Sequence, residues 1–345
     1  MSTDVLPYAW GGPPLRARLR ATPEDFFVDE DLGFAPDGAG EHVFVRVEKR
    51  GANTDWAARE LAQFARVAPD AVSYAGLKDR HAVTRQWLSL PAVEAARALA
   101  IAEADLTVLS AVPHPHKLRL GHLRGNRFVV KLTGSATADE RASVAARFEA
   151  LVTGGVPNRF GAQRFGAGGD NAAAGLALLR GERRERDKRR RRLLLSALQS
   201  AVFNRALELR AGSGGLGAVR LGDVLQKTDS GGLFVSSDPA LDQPRVDRGE
   251  VVPTGPLPGG REIEPPPETP ARAIDDQAIA AVGATREDFA RAGRELPGAR
   301  RAVLIKPGEA SIDVGAAPDG PVELRFSLPA GAYATVLVEA LLSTV

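Results

Sequence analysis

The sequence predicts an α+β fold, and two patterns predict it. An alternation of apolar and polar side chains gives way to a helical spacing a few residues later, and strand-like segments then recur at irregular intervals instead of in a regular strand-helix array. From Glu41 to Val47, Val43, Val45 and Val47 fall on one side and His42, Phe44 and Arg46 on the other, the period of a half-buried strand. Asp25 to Asp31 reads the same way, less cleanly. From Asn53 the spacing of Trp56, Ala57, Leu61, Phe64 and Ala65 is helical, with Asn53 or Thr54 as N-cap. Strands follow at Val72–Ala75, Gln86–Leu90, Leu106–Val112 and Arg127–Leu132, and helices at Val93–Ala104 and Ala138–Leu151. Beyond Gly154 the composition shifts: a Gly-rich stretch, Gly161 to Gly169, leads through a basic run, Arg183 to Arg192, into a helix over about Arg190 to Arg210. Pro and Gly make Val251–Pro270 a surface loop or linker. Strands return at Arg301–Ile305 and Val322–Leu328, and an amphipathic helix over Tyr333–Leu342 closes the chain.

A chain of 345 residues favours two structural units, and 44% hydrophobic with 26% charged residues is the composition of a packed globular protein. The net charge of +2 means that a polyanionic partner would be held by local basic patches. With no cysteine, disulfides, thiol catalysis and thiolate metal sites are excluded. The opening, Met1 to Trp10, contains Asp4 and Pro7 and lacks the basic flank and apolar stretch of a signal peptide. No run approaches a membrane span, so a cytoplasmic protein without membrane association is expected. His114, His116 and His122 lack the spacing of a metal site, and Gly161–Gly169 lacks the Gly-Lys-Ser/Thr of a phosphate loop.

The block Tyr74-Ala75-Gly76-Leu77-Lys78-Asp79-Arg80-His81-Ala82-Val83-Thr84-Arg85-Gln86 sets one acid between two cations on a Gly-containing loop between two predicted strands. Flanking cations favour an ionised carboxylate able to act as nucleophile or proton acceptor, and Lys78 and Arg80 suit phosphates. Unaided, the same tripeptide also fits a turn aspartate bonding its own backbone between solvated cations.

The stretch Ala75 to Gln86 resembles the catalytic motif of the TruD family of tRNA pseudouridine synthases, with Asp79 at the position of its aspartate. The likeness extends over essentially the whole chain. It includes Pro23-Glu24-Asp25-Phe26 with Asp29-Glu30, Gly125-Asn126-Arg127-Phe128, Asn158-Arg159-Phe160-Gly161-Ala162-Gln163-Arg164-Phe165-Gly166, and the ending Phe326-Ser327-Leu328-Pro329-Ala330-Gly331. The resemblance implies a pseudouridine synthase catalytic domain with a mixed, mostly antiparallel sheet and flanking helices, formed by residues 1–154 and 303–345. An inserted α/β TRUD domain would span residues 155–302.

The reaction implied is isomerisation of a uridine in tRNA, by family habit uracil-13, without metal or organic cofactor, Asp79 serving as the catalytic nucleophile or base. Phe128 matches the residue expected to pack on the flipped uracil, although by itself it reads first as strand core beside Val129, a preference that the resemblance reverses. Phe26 would line the same pocket, and Asn126 would hydrogen-bond the uracil edge or ribose. Arg20 stands where members of the family commonly carry lysine, and an ion pair with Asp79 is implied; a guanidinium keeps the sign but changes the pairing geometry. Gln163 and Arg164 suit ribose and phosphate, and Arg189, Arg190, Arg191 and Arg192 of the basic run suit the RNA backbone. The partner is tRNA and a monomer suffices. A non-catalytic tRNA-binding or folding module on the same scaffold is the competing class, which Asp79 substitutions would separate.

Overall fold

A computed structural model of the chain describes residues 14–91, 95–166 and 168–344. Its contacts divide it into two compact units, one formed by Gly155–Ile305 with Thr335–Leu337, the other by the described residues of Pro13–Gly154, Lys306–Ala334 and Val338–Val345.

The second, outer unit runs β1 (Leu15–Leu19), β2 (Phe26–Asp31), β3 (His42–Arg50), α1 (Thr54–Ala65), β4 (Ser73–Tyr74), β5 (Val83–Pro91), α2 (Ala95–Ala98), β6 (Ala102–Glu103), β7 (Leu106–His114), β8 (Gly125–Thr133) and α3 (Ala138–Gly154). The inserted unit carries β9 (Val156–Pro157), α4 (Asn171–Leu179), α5 (Lys188–Gly212), β10 (Val224–Lys227), β11 (Leu233–Val235), α6 (Pro239–Asp247), β12 (Val251–Leu257), α7 (Pro270–Ala281), α8 (Arg286–Ala292), β13 (Ala299–Ala302) and β14 (Leu304–Ile305). After it come β15 (Gly308–Asp313), β16 (Val322–Pro329), α9 (Ala334–Glu339) and β17 (Leu342–Thr344).

The outer sheet runs β15-β16-β8-β2-β5-β3-β7-β6, with β1 joining β8 and β17, and β4 joining β5. The pairs β2–β5 and β1–β17 are parallel and the other pairs antiparallel, so the sheet is mixed and mostly antiparallel. Asn53 caps α1, its Oδ1 accepting from the Trp56 N–H at 2.7 Å, a contact worth about 1 kcal/mol. The apolar stripe of α1, Ala57, Ala58, Leu61, Ala62 and Ala65, packs on Val43, Val45, Val47, Leu88 and Leu90. On the opposite sheet face, Asp29 pairs with Arg46 at 2.7 Å and Arg85 with Glu48 at 2.7 Å. In the inserted unit, α5 forms the spine: Leu194, Leu195, Leu198, Val202 and Ala206 pack with Leu178, Ile274, Ala278, Ile279 and Phe289. Its main sheet, β11-β10-β12-β13, is antiparallel throughout. No helix among the described residues is long and apolar enough to cross a membrane.

Three expected elements differ. Of Val251–Pro270, expected as a surface loop or linker, residues 258–269 are irregular, but Val251–Leu257 is strand β12, which pairs with β10 through Val251–Pro253 and with β13 through Thr254–Leu257. Pro253 lies opposite Leu225 of β10, but its carbonyl accepts from the Val303 N–H at 2.9 Å on the other side, so its missing amide hydrogen faces away from β10. The helix expected over Val93–Ala104 shrinks to Ala95–Ala98, its first part lying outside the described residues, because Ala102 and Glu103 pair back on Thr107 and Leu106. The closing helix stops at Glu339, since Leu342–Thr344 lie beside Leu15–Ala17 as a parallel strand.

Candidate active site

The site is built where the buried face of the outer sheet changes from apolar to polar. The alternation that puts Val43, Val45 and Val47 of β3 under α1 puts Lys49 on the same face. The same parity brings Glu30 after Phe26 and Val28 in β2, Thr84 and Gln86 before Leu88 and Leu90 in β5, and Asn126 before Phe128 and Val130 in β8. Register joins Lys49, Thr84, Val28, Phe128 and Phe326 into one row across five strands, and Glu30, Asn126 and Leu328 lie in the next. Lys49, Thr84 and Gln86 are each 0% exposed. The Oδ1 of Asn126, the Oγ1 of Thr84 and the Nε2 of Gln86 are buried without a hydrogen-bond partner. At the mouth of β8, Gly125 is required by proximity: a Cβ there would stand 2.4 Å from the carbonyl oxygen of Leu328.

The loop between β4 and β5 is tied to this polar floor at three points. Its Lys78 N–H donates to the Thr54 Oγ1 at 2.9 Å, which in turn donates to the Gln86 Oε1 at 3.1 Å. The Lys78 ammonium is ion-paired with Glu30, whose other oxygen accepts from the Trp87 N–H at 3.0 Å; the two side chains are 6% and 0% exposed. The Lys49 ammonium donates to the carbonyl oxygens of Ala52 at 2.5 Å and Asp79 at 3.1 Å. Burial pushes the Lys49 ammonium down to about 8, with the negative charge of Asp79 opposing that shift and Lys78 adding to it.

Held in this way, Asp79 presents a carboxylate that is fixed at both oxygens and 28% exposed. Its Oδ1 accepts from the His81 N–H at 3.0 Å, the self-bonding of a turn aspartate. Its Oδ2 is 2.6 Å from the Nη2 of Arg20. Arg20 adopts φ +63°, a conformation uncommon outside glycine, and its guanidinium lies 4.2 Å from the ring centre of Phe26. Behind it the aromatics form a row: Phe26 meets Phe128 edge-on at 6.2 Å, and Phe128 stacks on Phe326 at 5.2 Å. Arg20, Phe26, Asp79, Asn126 and Phe128 therefore belong to one sheet face and the loop above it.

The flanking cations behave differently from the expectation. Lys78 turns inward to Glu30 and is engaged there instead of being presented to a phosphate, so the cation on the Asp79 carboxylate is Arg20 and not a sequence neighbour. Arg80 is exposed. In the inserted unit, Gln163 is exposed, while Arg164 donates from Nε to the Ser200 Oγ at 3.2 Å and sits 5.5 Å from the Phe160 ring. The basic run opens α5, where the Asp187 side chain caps the N–H groups of Arg189 and Arg190. Arg190 faces Glu185 at 3.4 Å and Arg191 is ion-paired with Glu295, whereas Arg189 and Arg192 are exposed. Cations in the first turn oppose the helix dipole, so this run is retained at some cost to the helix. Reading the residues one by one missed Lys49, Glu30 as the partner of Lys78, and Phe326 as the stacking partner of Phe128.

The chain is similar to known proteins over nearly its whole length. The sequence profile of tRNA pseudouridine synthase D (TruD) matches residues 2–188 and 183–341. A tRNA pseudouridine synthase D of Anaeromyxobacter sp. (strain Fw109-5) is 45% identical over 332 residues, which are 94% of this chain and 92% of the relative. That of Pectobacterium atrosepticum is 40% identical over 345 residues, 99% of this chain and 97% of the relative. Among solved structures, the putative tRNA pseudouridine synthase D of Methanosarcina mazei shares the fold with a TM-score of 0.74 at 23% identity, covering 97% of this chain and 95% of that one.

Proposed function

Because the chain belongs to the tRNA pseudouridine synthase D (TruD) family, whose members isomerise uridine in tRNA, we propose that it converts uridine 13 of tRNA to pseudouridine with the Asp79 carboxylate as the reacting group. The observation that carries this reading is the setting of Asp79: a carboxylate held at both oxygens, by Arg20 at 2.6 Å and the His81 N–H at 3.0 Å, and still 28% exposed.

The chemistry asks for little else. The bond from N1 to the sugar C1′ breaks, the uracil turns, C5 bonds to C1′, and the C5 proton leaves while N1 regains one, so atoms balance without an oxidant, a reductant or water. A stacked base cannot reach Asp79, so the uridine must be everted, at a cost of a few kcal/mol. Of the buried aromatic row, Phe128 at 7% exposed is the least covered, and this reading puts its edge against the everted base, with Phe26 and Phe326 packed behind it; contact with an aromatic ring is worth about 1 to 3 kcal/mol per base. Asn126, with its buried Oδ1 unpartnered, supplies an acceptor for the uracil edge. Arg80, Gln163 and Arg164, and the Arg189–Arg192 run, contact ribose and phosphate in this reading, while Lys78 supports the loop from below. The working partner is tRNA, met in the cytoplasm by a monomer.

The test is release of tritium from tRNA transcripts labelled at uracil C5, followed by mapping of the modified nucleotide. The wild-type protein is expected to release tritium with the strands intact. Asp79→Asn is expected to abolish release while keeping tRNA binding. Undiminished release by Asp79→Asn would overturn the role of Asp79, and no release from any tRNA by the wild type would overturn the activity.

A further inference from the structure

Lys49 is a charged side chain on an otherwise apolar strand face, and it is 0% exposed. Its stem continues the row of Val43, Val45 and Val47, and its ammonium ends under the loop that carries Asp79, donating to the carbonyl of that residue at 3.1 Å and to Ala52 at 2.5 Å. A buried ammonium is costly unless its surroundings need it, and packing alone would be served by an uncharged chain of the same length. Its charged surroundings come from several elements. Asp79 attracts it, and Lys78, itself neutralised by Glu30 of β2, repels it. Arg20 is paired with the Asp79 carboxylate at 2.6 Å. Thr84, its neighbour across β5, is uncharged, and Thr54 and Gln86 bond each other. Gly51 N–H donates to Ala82 O at 3.2 Å, so the end of β3 and the far end of the loop are already joined by backbone, and Lys49 closes the middle.

We propose that Lys49 is a positioning residue for the reaction: its ammonium grips the backbone carbonyl of Asp79 and so fixes where the carboxylate meets the uridine. The proposal rests on the reading that Asp79 is the reacting group. Hydrogen bonds from an ammonium are about twice as strong as those from a neutral amine, so the grip loosens when Lys49 loses its proton. With burial bringing that event to about 8, it falls inside the range in which the enzyme can be assayed.

The experiment compares wild type, Lys49→Met and Asp79→Asn for single-turnover tritium release from C5-labelled tRNA and for tRNA binding, from about pH 6.5 to about pH 9.5, a span that brackets the Lys49 value of about 8. Methionine keeps the length and loses the charge. Misplacing a reacting group by an ångström costs about 100-fold in rate, so Lys49→Met is expected to lower the maximal rate by roughly that factor with tRNA affinity within about twofold of wild type. The wild-type rate is expected to fall in one step as pH rises through about 8, and the step to vanish in Lys49→Met. A Lys49→Met rate equal to wild type, or the same alkaline step in both, overturns the proposal. Should Lys49→Met fail to fold, the wild-type profile decides, because a rate that stays level from pH 7 to 9.5 is incompatible with it. If Asp79→Asn remains active, both this proposal and the role of Asp79 fall; if Asp79→Asn is dead and Lys49→Met is not impaired, only Lys49 does.

Discussion

Replacing Arg20 with methionine removes two contacts whose size can be worked from the structure. The first is the ion pair to Asp79 at 2.6 Å, between side chains 22% and 28% exposed, which lies between a solvent-screened pair and a dry one. A charged hydrogen bond of that kind is worth about 1 to 2 kcal/mol. The second is the guanidinium 4.2 Å from the centre of Phe26, a ring 3% exposed, adding about 0.5 to 1 kcal/mol. Backbone strain cancels, because methionine at φ +63° costs what arginine does. If the whole of this is spent on holding the carboxylate for the transition state, the loss is about 1.5 to 3 kcal/mol, or roughly 10- to 150-fold in kcat/KM. Arg20→Lys keeps the sign and loses the planar contact with Phe26, so it is expected to lose no more than about tenfold. The assay is tritium release at several tRNA concentrations, with thermal unfolding as a control. Arg20→Met within twofold of wild type would mean that the ion pair does not position Asp79, and the argument from its geometry would fail.

Three further outcomes are expected. Lys49 has its folded-state pKa depressed from 10.5 to about 8, so wild-type stability should rise between those values by up to about 3 kcal/mol, and Lys49→Met should lack that rise in urea unfolding at pH 8 and pH 10. Glu262, in the inserted unit, is pushed the other way, from 4.5 to about 7 by burial; the stability it contributes is complete below 4.5 and is lost as pH rises through 7. Glu262→Gln should therefore melt closer to wild type at pH 5 and well above it at pH 8, the gap widening by an amount corresponding to about 2 to 3 kcal/mol, and a gap that does not change between the two pH values would exclude the effect. Replacing the exposed Arg189 and Arg192 with glutamine should flatten the slope of log affinity for tRNA against log salt by about 1 to 2, whereas an unchanged slope would put the phosphate contacts elsewhere.

Much of this was legible in the residues, and what was not has physical causes. The β3 alternation and the Asn53 cap are local signals, and the structure has both. Lys49 would have been found by carrying the same alternation two residues past Val47, since parity alone puts it on the valine face. Glu30 and Gln86 follow from the same rule, each a polar residue at a position where its strand has so far buried apolar ones. The pairing of Lys78 with Glu30 was not legible, because it depends on which strand lies under the loop, and sequence proximity to Asp79 pointed the wrong way. β12 was hidden by its prolines, which stop being disqualifying only once the hand-over from β10 to β13 is known.

The strand bearing Phe128 is completed by one from the far side of the inserted stretch: β8 takes β16 along its whole length, from Gly125 opposite Pro329 to Leu132 opposite Val322. The inserted unit's last strand ends at Ile305, before Val322 is reached. On the ribosome, a nascent chain therefore holds every strand of the insert while the sheet under Asp79 still lacks a neighbour, leaving the apolar face of β8, including Phe128 and Val130, waiting for residues yet to be translated. Synthesis that stalls between those two points would leave a nascent chain with every strand of the insert but without Thr335–Leu337, which belong to the same compact unit, and with β8 lacking its β16 neighbour, the kind of species that chaperones bind.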